Sequence, residues 1–310
     1  MLKIKVDQFN QNIKPTGFLK KKLNAPFSVI KILIDKNKIT INDKLFDKDK
    51  ILKEGDIIKI DDDKISLRES KNITPINLKL KEIYEDNKIL VFNKPPFIAV
   101  QGGGIEKKSI LNHLSYLKEK KNLKFLHPIH RIDKNTSGIL IIAKNEVVLR
   151  DLNKILKEKK IKKRYLCLVL GKPKKKKEKV EVFLKVRNNE KEKVIVTNEK
   201  DKNAKYSLSY YRILETFKYK NYIFSLVDVL IKTGVTHQIR VHMKHLNTPI
   251  IGDMMYGDKE LYRKLKKEIG INRQFLHAYF ISFNYKGKKY SLEAKLSKDL
   301  VKVLKKISKY

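Results

Sequence analysis

Residues 138–144, Gly138-Ile139-Leu140-Ile141-Ile142-Ala143-Lys144, hold five consecutive apolar residues between a glycine and a lysine. The run is too short for a globular helix and reads as a buried strand. The stretch before it, His130-Arg131-Ile132-Asp133-Lys134-Asn135-Thr136-Ser137, is a polar turn rich in Asp, Asn, Thr and Ser. The pattern therefore puts Asp133, with Arg131 two residues earlier, on a loop entering a core strand. A polar loop on a rigid scaffold is where chemistry tends to sit. The bland alternative is that Asp133 only closes an Asx-turn, and composition by itself favours it.

At 310 residues the chain has room for one large domain or two unequal ones. A hydrophobic fraction of 41% supports a core, and 34% charged residues is high without being a disordered composition. No run of 18 apolar residues is present, so no membrane span is expected. The start lacks the apolar block of a signal peptide and the arginines of a transit peptide. The single cysteine, Cys167, makes neither an internal disulfide nor a cysteine-based zinc cage, which fits a reducing cytoplasm. The net charge of +38 points to a polyanion such as nucleic acid. Only nine of the 72 basic residues are arginine, however, and part of the lysine excess reads as charge on solvated faces. The scarce arginines carry more information, because planar bidentate contacts are hard for lysine to replace. Arg131 and Arg240 both lie in motifs.

Residues 1–68 read as a small separate module. Two short helices split at Pro26 are followed by an alternating strand entering an Asn42-Asp43 turn, then by the strand Gly55–Ile60. Residues 69–81 form a polar connector. Beyond it, Ile89–Phe92 is a strand stopped by Pro95 and Pro96, and Ile110, Leu111, Leu114 and Leu117 mark a helix. Gly102-Gly103-Gly104 lacks phosphate-loop spacing and reads as a flexible loop. Asn145 is placed to cap a helix carrying Val148, Leu149, Leu152, Ile155 and Leu156 on one face. Strands are expected at 163–171, 180–186, 206–214 and 222–232, with a lysine-rich surface loop after Pro173.

A second motif is Thr233-Gly234-Val235-Thr236-His237-Gln238-Ile239-Arg240-Val241-His242-Met243-Lys244-His245-Leu246. Read as a helix capped near Thr236, it sends Ile239, Met243 and Leu246 to the core. His237, Arg240 and Lys244 then share a basic face near a helix N-terminus, a favourable setting for phosphate. The three histidines invite a zinc reading, but H-E-x-x-H and a cysteine pair are both absent, and His237 and His242 align poorly on a helix. No metal is expected.

The stretch His130–Lys144 closely resembles the signature of the RluA-type pseudouridine synthases, in which the Asp is catalytic. The Thr233–His242 motif resembles a second family signature, with Val235 where Arg is common. The resemblance runs from about residue 82 to 300. The 15–62 region resembles an S4-type RNA-binding domain, without that domain's opening Arg-hydrophobic-Asp. Its charge is modest: residues 1–62 carry a net of only +5. Together these imply an α+β protein: a mixed, mainly antiparallel sheet flanked by helices at 82–310, preceded by an S4-like module at 1–68 and a linker at 69–81. Val100–Gly104 and the strand around Tyr165 are closest to family members acting on large-subunit ribosomal RNA. A tRNA target is the alternative within the family.

The implied reaction breaks the N1–C1′ bond of a uridine, turns the base and rejoins it through C5. It needs no cofactor. The resemblance assigns Asp133 as the catalytic carboxylate, acting as nucleophile or as base on a sugar proton. It pairs Arg240 with that carboxylate and stacks Tyr165 on the base. Arg131 would fill the gap left by the extruded base or grip its phosphate, Lys94 would meet the RNA backbone, and His237 and Gln238 would contact RNA. Ordinary alternatives are a core tyrosine for Tyr165, a helix-surface ion pair for Arg240 and a surface lysine for Lys94. A non-catalytic RNA binder would show an altered Asp133. A zinc deaminase needs P-C-x-x-C, which one cysteine excludes, and a methyltransferase needs a glycine-rich cofactor loop. A cytoplasmic monomer acting on RNA is expected.

Overall fold

The computed structural model describes residues 1–7, 10–63, 65, 73–102, 108–187 and 193–309. It divides into two units, Met1–Thr74 and Pro75–Tyr310. The expected loop at Gly103 and Gly104 and residues 69–72 of the expected connector lie outside the described residues.

The smaller unit contains β1 (Leu2–Lys5), α1 (Pro15–Lys22), α2 (Phe27–Asp35), β2 (Ile39–Ile41), β3 (Lys44–Leu45) and β4 (Ile57–Ile60). Its strands form an antiparallel sheet in the order β1-β4-β2-β3. Phe18, Leu19, Ile30 and Leu33 of the helices share a core with Ile39, Ile58 and Ile60 of the sheet. Pro26 separates the helices because it has no N–H to continue a ladder and its ring disfavours a helical residue before it. The β2–β3 turn is the anticipated pair Asn42 and Asp43, both at positive φ, which suits a two-residue hairpin. The edge strand β1 was not legible, since it is defined by pairing with residues 57–60, far along the chain.

The larger unit contains β5 (Lys81–Glu85), β6 (Ile89–Lys94), α3 (Ile110–Lys120), β7 (His127–Pro128), β8 (Ser137–Ala143), α4 (Glu146–Lys157), β9 (Lys162–Leu170), β10 (Lys177–Val186) and β11 (Val194–Thr197). It continues through β12 (Lys205–Tyr219), β13 (Tyr222–Ile231), α5 (Gln238–His245), α6 (Lys259–Ile269), β14 (Leu276–Tyr285), β15 (Lys288–Glu293) and α7 (Lys298–Ile307). The strands make one sheet, β11-β10-β12-β13-β9-β14-β8-β6-β5, with β15 beside β14 and β7 beside β8. Pairing is antiparallel except between β8 and β14. This is the mixed, mainly antiparallel α+β architecture expected.

β8 is buried along its whole length because it serves two cores. Leu140 and Ile142 pack on one face with α3, α6 and α7, while Ile139, Ile141 and Ala143 pack on the other with α4. Burial on both faces explains an unbroken apolar run in place of alternation. Asn145 caps α4 as anticipated, its Oδ1 accepting from Val148 N at 2.9 Å. β12 runs five residues beyond the expected end at Leu214. A bulge between Ile213 and Glu215 breaks the alternation that would have marked the rest, and leaves Leu214 exposed.

Gly138, at the start of β8, has φ +115° beside Ala278 of β14. A Cβ there would stand 2.2 Å from the Ala278 carbonyl oxygen. Gly138→Ala is expected to lower the unfolding free energy by about 3 kcal/mol or more, from backbone strain and overpacking together. An unchanged urea midpoint would show that β8 and β14 can separate freely at this point.

Candidate active site

The polar turn leading into β8 is a reverse turn closed by Thr136 N donating to Asp133 O at 3.1 Å. The Asp133 carboxylate does not close this turn, so the Asx-turn alternative fails. It points instead at α5, where Arg240 Nη1 donates to Asp133 Oδ2 at 3.2 Å. Arg240 is buried, and its Nε and Nη2 donate to the two carboxylate oxygens of Asp253 at 2.6 and 2.8 Å. Burial alone would pull the guanidinium down, but the Asp253 hydrogen bonds and charge and the Asp133 charge outweigh it and hold it firmly protonated. Asp253 is in turn fixed by Met255 N and Tyr256 N, which donate to its Oδ1. Arg240 also lies over the Tyr256 ring, 4.9 Å from its centroid.

His237 precedes α5 in the left-handed region, φ +55°, so it rather than Thr236 stands at the helix entry. Its Nε2 is 3.9 Å from Asp133 Oδ2 and its Nδ1 is 2.8 Å from the Tyr256 hydroxyl. Val194 N also donates to that hydroxyl oxygen at 3.0 Å. Nδ1 is thus engaged by Tyr256, and Nε2 is the ring nitrogen that faces Asp133. Burial lowers the His237 pKa more than the Asp133 charge raises it.

Asp133, His237 and Arg240 border a pocket that opens to solvent. Tyr165 of β9 lines it and is buried, and burial together with the Asp133 charge pushes its hydroxyl pKa up. Tyr165 thus enters the pocket as a neutral aromatic surface. Arg131 is exposed at the same pocket. His130 also lines it, its Nε2 accepting from Ile141 N, and burial pushes its pKa down to about 3.

Three expectations are corrected. Lys94 is not at a surface where RNA could reach it. It is fully buried, and its Nζ donates to the carbonyls of Pro95, Ile98 and Lys134 at 2.9, 2.9 and 3.1 Å. Burial and the charge of Arg273 bring its pKa down to about 7, while three carbonyl acceptors match the three N–H groups of an ammonium. Gln238 lines the pocket but is used internally. Its Nε2 donates to Leu208 O and Ser209 Oγ, and its Oε1 accepts from Thr233 Oγ1 and Val235 N. The expected basic helix face does not form, because Arg240 turns inward to two carboxylates and His237 lies outside the helix.

The residues not anticipated are those that hold the others. Asp253 and Tyr256 secure Arg240 and His237. Arg273 Nη1 donates to Asn135 O at 2.9 Å, and Gln274 Nε2 to Thr136 Oγ1 at 3.3 Å. The pairs Asp253-Tyr256 and Arg273-Gln274 lay in stretches that continued the family resemblance, and that was their only signal. Nothing local tells an anchoring aspartate from a turn former. Among the described residues, no group of three or more His, Cys, Asp or Glu is placed to hold a metal ion. His242 turns to Ser207 and His245 is exposed, so the histidines of α5 do not converge.

A family model described as RNA pseudouridylate synthase matches residues 88–245. The chain is 39% identical over 304 residues to the ribosomal large subunit pseudouridine synthase C of Buchnera aphidicola subsp. Schizaphis graminum, covering 94% of this chain and 92% of that protein. It is 32% identical over 314 residues to the protein of that name from Escherichia coli K12, covering 98% and 95%. The structure of human RNA pseudouridylate synthase domain containing 4 shares the fold, with a TM-score of 0.63 at 22% identity, over 73% of this chain and 92% of that one.

Buried histidines carry a pH consequence. His242 and His277 are fully buried, and burial lowers both pKa values to about 4. Between pH 6.5 and 4 the unfolded chain takes up a proton at each while the folded chain does not. Stability is therefore expected to fall with pH across that window, by about 1.4 kcal/mol per pH unit for each histidine. Urea titrations at pH 7 and 4.5 check this; equal stabilities would mean that both rings accept protons in place.

Proposed function

The chain belongs to the RluA-type RNA pseudouridine synthases, isomerases that act on RNA, and on that premise we propose that it converts uridines of large-subunit ribosomal RNA with Asp133 as the catalytic carboxylate. The observation that carries the site assignment is the Arg240–Asp133 pair at a pocket that Tyr165 also lines. The rRNA target is supported by relatives that bear this name and match nearly the full chain.

A uridine has to leave its helix or loop to be reached. Its base lies against Tyr165, which brings the sugar to Asp133. The carboxylate then acts at C1′ as a nucleophile or at C2′ as a base. Arg240, held by Asp253, keeps the carboxylate aimed, and His237 Nε2 faces the same oxygen. Arg131, exposed at the pocket, occupies the space the base vacates or binds its phosphate. No cofactor is required, because the reaction gains and loses no atom. The unit Met1–Thr74 serves as an RNA-docking module; its two helices and small sheet follow the order of an S4-type domain. Among the described residues no helix is long and apolar enough to cross a membrane.

Pseudouridine mapping of total RNA from cells with and without the gene tests the target. Signal should vanish at one or a few large-subunit rRNA uridines and return with the wild-type gene but not with Asp133→Ala. Loss confined to tRNA would overturn the rRNA assignment, and turnover by the Asp133→Ala protein would overturn the catalytic one. Removing residues 1–74 should weaken RNA binding more than it slows isomerisation of a short substrate; equal losses would count against the docking role.

A further inference from the structure

Lys163 is a cation that the roles above do not use. It lies on β9 two residues before Tyr165, so both side chains leave the same face of the strand, about 6.6 Å apart along it. Both line the pocket. Lys163 is half-buried and, among the described residues, has no carboxylate or carbonyl partner. Its Nζ reaches the loop before α5, where a Cβ on Gly234 would stand 3.6 Å away.

The other cations at the pocket are differently placed. Arg240 is occupied by Asp133 and Asp253, and Arg131 is exposed. The charge of Asp133 acts on Tyr165, His237 and Arg240, whereas burial is the one influence resolved on Lys163. The pocket thus carries Asp133 with Arg240 on it and, on the Tyr165 strand, a lysine that is not paired with that carboxylate. A desolvated ammonium without a counterion costs stability, and a structural role would not call for that.

The reaction supplies a transient anion. When N1–C1′ breaks, the electron pair leaves with the base, whether Asp133 adds to C1′ or removes a C2′ proton. The resulting uracil anion spreads its charge over N1, O2 and O4. The same electron pair then forms the C5–C1′ bond, and the C5 proton is lost as N1 gains one, so the product is neutral again. We propose that Lys163 is a further catalytic residue, whose ammonium binds a carbonyl oxygen of the uracil and stabilises the anion formed between the two bonds. A fixed cation in a water-poor pocket is worth most to charge that exists only near the transition state. Base stacked on Tyr165, sugar at Asp133 and base oxygen at Lys163 use three residues that line the same pocket.

The proposal rests on the uridine occupying this pocket. Its test compares large-subunit rRNA transcripts made with UTP or with 5-fluoro-UTP, measuring cleavage of N1–C1′ by nucleoside mass spectrometry under single turnover. Fluorine stabilises the base anion, so cleavage depends less on an external cation. Lys163→Met should slow uridine cleavage about 10²-fold, the scale of losing one such donor. It should slow fluorouridine cleavage much less and leave RNA binding unchanged. Lys163→Arg keeps the charge and should retain the wild-type ratio of the two rates. Equal slowing on both transcripts, weaker RNA binding with a normal rate once bound, or no slowing would overturn the role. So would an Arg variant that behaves like Met. Asp133→Ala on the same transcripts separates the two ideas, since any turnover there refutes the catalytic carboxylate without bearing on Lys163.

Discussion

Arg240 joins a buried carboxylate to one that faces the pocket. One side of its guanidinium is bound by Asp253, which is fully buried, and the other faces Asp133, whose side chain is 27% exposed at the pocket. An arginine placed this deep depends on its partners: removing one member of such a buried group costs about 3–5 kcal/mol, because the charge left behind is unpaired. The buried Asp253 makes Arg240 a fixed feature, and the fixed Arg240 makes the direction of Asp133 a property of the fold. Tyr256 adds to this from its ring face and, through its hydroxyl, orients His237 toward the same carboxylate oxygen.

The backbone under Asp133 is held as firmly as its side chain. Lys94 donates to Lys134 O, Arg273 to Asn135 O, and Gln274 to Thr136 Oγ1. Ser137 Oγ meets His277 Nδ1 and accepts from Arg273 Nη2. Successive residues after Asp133 are thus tied to β6, to the segment before β14 and to β14 itself. Polar loop groups that leave water need such partners, and buried lysine and arginine can each satisfy several carbonyls. The result is a loop whose position is set by the sheet beneath it, the arrangement that precise placement of a reacting group requires.

Much of the framework was legible because it depends on local pattern. The run Ile139–Ala143 is a strand because nothing else that short and apolar is stable, and Asn145 caps α4 because its side chain reaches Val148 N. The turn at Asn42-Asp43 and the break at Pro26 follow from backbone preferences. What failed had a common origin. Lys94 sits between a strand and two prolines, and nothing local shows that its Nζ would turn inward to the carbonyls of Pro95, Ile98 and Lys134. The face of α5 was assigned from helical spacing, which cannot show that two aspartates, 107 and 13 residues from Arg240, would draw it inward. The end of β12 was lost where a bulge interrupted alternation.

Sequence by itself determined the class of catalyst, through a long ordered motif around Asp133 and a second around Arg240, and it determined the strands and helices whose stability is a matter of neighbouring residues. Tertiary structure decided which polar groups face the pocket and which serve the scaffold. Lys94 and Gln238 are spent on internal acceptors, while Lys163, an unremarked lysine in a strand, is left unpaired at the pocket. The reason is physical. A charge's role depends on its burial and on which opposite charges or dipoles lie within a few ångströms, and in this protein those partners come from segments far apart in the chain.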